Sequence, residues 1–118
     1  MIGININCKH QPFIDMILSG EKTIETRNSK SLHSYVGQTV GLVKTGCGQA
    51  VLVGYATIGK PIYYANEDAF RKDESKHCVH KGSEYDIGAH GKWGYPIFNV
   101  VRIQPRYIHS KGIVTRKI

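Results

Sequence analysis

The chain opens with apolar residues at every second position. Ile2, Ile4 and Ile6 alternate with Gly3, Asn5 and Asn7, the period of a strand with one buried face. The period then changes. Phe13, Met16, Ile17 and Gly20 fall at i, i+3, i+4 and i+7, so one face of a short helix is apolar or small. Pro12 suits its first turn, where a missing N–H costs nothing. Gly20 suits its end, because glycine takes the left-handed conformation without penalty. The segment 22–27 returns to β-branched alternation and predicts a second strand, followed by a polar loop over 28–36. Segments 38–44 and 49–59 predict two more strands, joined through Gly46-Cys47-Gly48. Pro61 ends the second of them or marks an edge. Asn66 is placed to cap a helix from Glu67 to about His77, with Glu67 and Asp68 in its first turn. A glycine-punctuated loop leads to a last long strand over 93–103, and 106–118 reads as a basic tail. The expected fold class is α+β: five or six strands, two short helices and a sheet that curls into a small barrel.

Composition narrows the picture. The chain has 118 residues, 41% hydrophobic and 21% charged. This is the size and make-up of one globular domain, 1–118, and it excludes disorder as the main state. No apolar run approaches the ~20 residues that a bilayer requires, so no membrane partner is expected. The first residues carry no early Lys or Arg and no signal-like apolar core, and three widely spaced cysteines suit free thiols. Both features point to the cytoplasm. The glycine stretches fit neither a phosphate loop nor a dinucleotide fingerprint, and no cofactor is expected. His77-Cys78-Val79-His80 lacks the paired spacing of a zinc site, so no metal is expected either.

Charge changes the functional picture most. Sixteen Lys and Arg against nine Asp and Glu leave +7. No acid occurs from Ile87 to the end or between Thr26 and Asn66. An uneven basic field attracts polyanions, and against a phosphate backbone it gives salt-dependent affinity. The plainer role of such a charge is solubility.

One stretch carries more specific information. Residues 11–27, from Gln11-Pro12-Phe13 through Gly20-Glu21-Lys22 to Glu25-Thr26-Arg27, closely resemble the signature of the ASCH domain. In that family a helix ends in Gly, and G-x-K-x-x-E-x-R then enters a strand. The four positions here are Gly20, Lys22, Glu25 and Arg27. Tyr35–Val40 resembles the family's second strand, Lys92–Val100 its closing strand, and Lys111-Gly112-Ile113 also has a counterpart. The resemblance implies a PUA-like β-barrel with a cleft beside the first helix that faces RNA or a nucleotide. It also implies a range of activities. Some members are RNA-binding modules. One bacterial branch hydrolyses the amide of N4-acetylcytidine with a Lys, a Thr and a Glu, and another is a single-strand ribonuclease.

Lys22 matches the base or nucleophile of the amidohydrolase branch. That chemistry needs a neutral amine, hence a pKa lowered by burial or by nearby cations. The alternative is electrostatic: Lys22 pairs with phosphate or with Glu25. Glu25 and Arg27 lie two apart in a strand and share a face. A carboxylate beside the guanidinium would order its fork for a phosphate or a base edge. The amidohydrolase branch has Thr where this chain has Glu25. Glu74 is the nearest stand-in for that branch's second-helix carboxylate, with Glu84 and Asp86 as competitors. Seven Tyr and one Trp supply amphipathic rings, and Trp93 and Tyr95 are the chosen base stackers. The expected function is binding of single-stranded RNA or a modified nucleoside through Lys22, Glu25, Arg27, Trp93 and Tyr95. The alternative is a small hydrolase using Lys22, Glu25 and Glu74.

Overall fold

Ile2–Asn7 forms β1 in the computed structural model, which describes residues 1–118. Helix α1, Phe13–Ser19, buries Phe13, Ile14 and Ile17 and stops at Gly20, whose φ of 87° is left-handed. The remaining strands are β2 (Ile24–Arg27), β3 (Thr39–Thr45), β4 (Val51–Ile58), β5 (Ile62–Tyr64), β6 (Lys92–Tyr107) and β7 (Thr115–Lys117). Two short helices, α2 (Glu67–Lys72) and α3 (Glu74–His77), precede the loop into β6.

The strands form one sheet in the order β2-β6-β4-β3-β1-β7, with β5 also on β6. Only β1 and β3 run parallel, in register Gly3↔Gly41 to Asn7↔Thr45. A parallel pair needs a crossover, and the segment holding α1 and β2 supplies it. Helix α1 packs against β1, β3 and β6. Register shifts at Leu42/Val43, Leu52/Gly54 and Tyr55/Thr57 bend the sheet, as bulges do, into a curled half-barrel. The main core, with Ile4, Ile6, Ile14, Ile17, Leu42, Ala56, Ile58 and Tyr95 fully enclosed, fills its concave side under α1.

The expected fold class holds, with corrections in detail. There are seven strands rather than five or six, and three α-helices rather than two. The additional strands, β5 and β7, are three residues each. The reading of 106–118 as a tail fails because β7 pairs antiparallel with β1, Ile2↔Lys117 to Ile4↔Thr115. The helix expected from Glu67 to His77 is interrupted at Asp73, which ends α2 and precedes α3. Asn66 caps α2 as expected, accepting from the Ala69 N–H at 2.9 Å. Strand β6 runs 16 residues, longer at both ends than its sequence period suggests.

Candidate functional site

The half-barrel leaves a seam where β2 at one end of the sheet faces β1 near the other. Arg27 spans it: Nη2 donates to the Asn5 carbonyl of β1 at 2.8 Å and to Glu25 Oε2 at 2.9 Å. A cleft of about 300 Å³ opens here, near the lower end of the ~300–1,000 Å³ of small-molecule sites. Its polar walls include Glu25, Arg27, Asn7, Asn28 and Lys92, and Phe13 and Tyr85 supply the aromatic side.

The turn after α1 positions the charged motif. Gly20 reverses the chain, its N–H donating to the Ile17 carbonyl. The Lys22 N–H then returns to the Met16 carbonyl at 3.0 Å, and the Thr23 N–H reaches the Lys76 carbonyl at 2.8 Å. These bonds tie the start of β2 to both α1 and α3. Lys22 is thereby driven inward, with its side chain 0% exposed. Its Nζ donates to the His77 carbonyl, lies 3.7 Å from Glu25 Oε1 and sits 4.4 Å above the Phe13 ring. Burial pulls its pKa below the ordinary value, with Glu25 opposing the fall.

Glu25 is thus gripped from two sides, by Lys22 and by Arg27. Lys92, at the head of β6, is nearly as enclosed as Lys22 and donates to the Tyr85 carbonyl at 2.6 Å. Burial lowers its pKa as well, against the pull of Glu25 and Asp86. Two cations therefore grip one carboxylate, and Lys92 adds a third cation to the same cleft. Arg27 uses only Nη2 for its protein bonds, so the Nη1 donors remain for a ligand. Asn5 braces the far wall: its Nδ2 donates to the Gly112 and Ile113 carbonyls, both at 2.9 Å, and its Oδ1 accepts from Arg116 Nε at 2.8 Å.

The structure brings Lys22, Glu25 and Arg27 together and leaves the other expected residues elsewhere. Tyr95 is 0% exposed, its hydroxyl 2.6 Å from His33 Nδ1, so it offers no ring face to a base. Trp93 is half-buried in a separate aromatic group, 4.7 Å from His33 and 4.8 Å from Tyr63 between ring centres. Glu74 does not join Lys22. It pairs with Arg71 and with His80 Nδ1, the latter at 3.1 Å, and the His80 bond leads the lowering of its pKa. Competitor Asp86 pairs with Arg71 at 2.5 Å, and Glu84 lies 3.6 Å from His10. Sequence reasoning missed Lys92 and Tyr85 as cleft residues. The available signal was slight: a lysine at the head of the long acid-free strand, seven residues after a tyrosine in the preceding loop.

A curled, mainly antiparallel half-barrel with a helix in its concave side and a polar cleft at its seam is a PUA-like α+β fold. It is, more narrowly, an ASCH-type fold. ASCH from Zymomonas mobilis superposes with a TM-score of 0.68 at 14% identity, over 88% of this chain and 71% of that one. Serine-to-alanine and tyrosine-to-phenylalanine variants of the Zymomonas protein match at the same TM-score and identity, covering 72% and 73% of their chains. No protein-family model and no curated protein matches the sequence.

Proposed function

We propose that the seam cleft binds one nucleotide unit of single-stranded RNA. The observation that carries this reading is the pairing of Lys22 and Arg27 with Glu25 beside a cleft whose wall also carries Lys92, amides and aromatic rings. The Nη1 donors of Arg27 take a phosphate oxygen, in the charge-assisted geometry suited to a guanidinium. Asn7 and Asn28 present donors and acceptors for a base edge, and the Tyr85 ring supplies stacking. Phosphate contacts then set affinity and the amides choose the base. Lys22 holds Glu25, and through it Arg27, in place.

Binding is favoured over hydrolysis by the position of Lys22. A base or nucleophile must reach the substrate, whereas this ammonium is sealed behind Glu25 and Phe13. Lys92 is the amine that lines the cleft.

Affinity for a short single-stranded RNA, read by fluorescence anisotropy, tests the proposal. Charge-assisted bonds contribute ~1.5–3 kcal/mol, so Arg27→Met should weaken binding by about 10- to 100-fold. Lys60→Met, outside the cleft, should change it little. Equal losses in the two variants, or no loss in Arg27→Met with an unchanged circular dichroism spectrum, would refute the assignment. The same samples should release no acetate from N4-acetylcytidine and leave labelled RNA intact. Turnover abolished by Lys22→Met would reverse the preference in favour of the hydrolase.

A further inference from the structure

Next to two residues of the cleft wall, Asn7 and Thr45, two free thiols face each other. Cys8 directly follows β1, and Cys47 sits at the tip of the turn between β3 and β4. Their sulfurs are 3.8 Å apart. Backbone pairing fixes the approach: β1 and β3 run parallel to Asn7↔Thr45, and the Cys8 N–H then donates to the Thr45 carbonyl at 3.0 Å. The Cys8 thiol also donates to the Thr45 carbonyl at 3.2 Å, while the Cys47 thiol donates to the Cys8 carbonyl at 3.6 Å. The turn lies directly on β1. A Cβ at Gly46 would come within 2.5 Å of Asn7 Oδ1.

We propose that Cys8 and Cys47 are a redox-modification site that closes to a reversible disulfide beside the cleft. A disulfide needs ~2.05 Å between sulfurs, so the pair must close by less than ~2 Å. The turn can supply that movement. Cys47 is exposed and flanked by Gly46 and Gly48, residues with wide backbone freedom. No third metal-ligating side chain joins the pair, which favours a disulfide over a metal thiolate. The third cysteine, Cys78, is buried, with its thiol directed at the Glu21 and Ser75 carbonyls.

The oxidant belongs to the peroxide class. The exposed Cys47 thiolate attacks one peroxide oxygen and breaks the O–O bond. This gives a sulfenic acid at Cys47, and the leaving hydroxide takes a proton to become water. The Cys8 sulfur then attacks the Cys47 sulfur. The S–S bond forms, the S–O bond breaks, and the sulfenic oxygen departs as water with the Cys8 proton. Two thiols lose two electrons and one peroxide gains them. A small dithiol reductant reverses the step by exchange. Cys47 is exposed and Cys8 only half-exposed, so peroxide meets Cys47 first and Cys8 takes the second, resolving role. Asn7 and Thr45, which line the cleft, adjoin Cys8 and the Gly46-Cys47 turn, so the link pins that part of the cleft wall.

The test is brief peroxide treatment of the folded full chain, alkylation in denaturant and peptide mass spectrometry. The expected product is a Cys8–Cys47 linked peptide, lighter by two hydrogens, with Cys78 alkylated as a free thiol. Dithiothreitol should restore both thiols. The oxidised protein should also unfold at a higher temperature than the reduced one, and Cys47→Ser should abolish that shift. The proposal is overturned by a bond that includes Cys78, by disulfide-linked dimers at low protein concentration, or by further oxidation of Cys47 with Cys8 left free. An unchanged unfolding temperature in the linked protein would refute the pinning of the wall. None of these outcomes depends on RNA binding, so this inference and the proposed function stand or fall separately.

Discussion

Lys22 shows how one side chain couples stability to the charge of the cleft. Its ammonium is enclosed, and burial lowers its pKa from the ordinary 10.5. Between that lowered value and 10.5 the unfolded chain binds more protons than the folded one. The contribution of Lys22 to stability therefore rises with pH across this window. Lys92 acts in the same direction. Tyr64, Tyr85 and Tyr95 oppose it, because burial raises their pKa values and unfolding releases their protons more easily above about 10. Comparison with Lys22→Met removes that background. The stability of the wild type minus that of the variant, from urea unfolding, should climb as pH is raised toward 10.5. A flat difference would mean that Lys22 is not desolvated. Tyr95 gives a second check at this scale. Tyr95→Phe strands its bond to His33 Nδ1 and should cost about 1–2 kcal/mol, with RNA affinity unchanged because the ring lies in the core. The charged motif was legible in the sequence because its members lie within eight residues, Gly20 to Arg27. The fates of Trp93 and Tyr95 were not. An aromatic residue in a strand carries no local mark of which layer it will fill, and burial was decided by the curl of the sheet.

Elements with strong periodicity were read in the right place, although β1, expected to bury one face, buries Gly3 and Asn5 as well as Ile4 and Ile6. The i, i+3, i+4, i+7 pattern of α1, bounded by Pro12 and Gly20, carried its ends but only part of its buried face: Phe13 and Ile17 are enclosed, Ile14 is buried outside that stripe, and Met16 is only half-buried. Strands β5 and β7 have three residues each, too few to establish a period, and exist because neighbouring strands accept their backbone bonds. Asn5 shows how a distant segment is recruited. Its side chain makes three hydrogen bonds to residues 112–116, a separation no local pattern encodes. Asn5→Ala should therefore cost about 2–3 kcal/mol, from three bonds at roughly 1 kcal/mol each. It should also accelerate amide exchange in β7 more than in β4. Equal exchange in the two strands would show that the Asn5 side chain does not hold the C-terminal segment. The same long-range closure explains why Lys92 and Tyr85 escaped notice: the loop before β6 folds back over the seam, and the sequence gives no register for that return.

For the molecule as a whole, the +7 charge is a field that attracts polyanions. Two acid-free stretches contribute Arg27 from one and Lys92 from the other, and the fold brings them to a single cleft. The chain has no helix long and apolar enough to cross a membrane. If the field draws RNA and the seam holds it, affinity must fall with salt. Single-stranded ligands lose ~0.7 in log–log slope per neutralised phosphate, so Arg27→Met should reduce the slope by about that amount. An unaltered slope would place Arg27 on a base rather than on a phosphate.

On the proposed function, RNA enters this seam. The most direct measurement is an amide chemical-shift titration of the ¹⁵N-labelled protein with a short single-stranded RNA. The expected result is a contiguous set of shifts at Asn5–Asn7, Thr26–Asn28, Tyr85, Lys92 and Ile113. Shifts confined to the exposed outer half of β6, from Phe98 to Tyr107, or none at all at low salt, would contradict it.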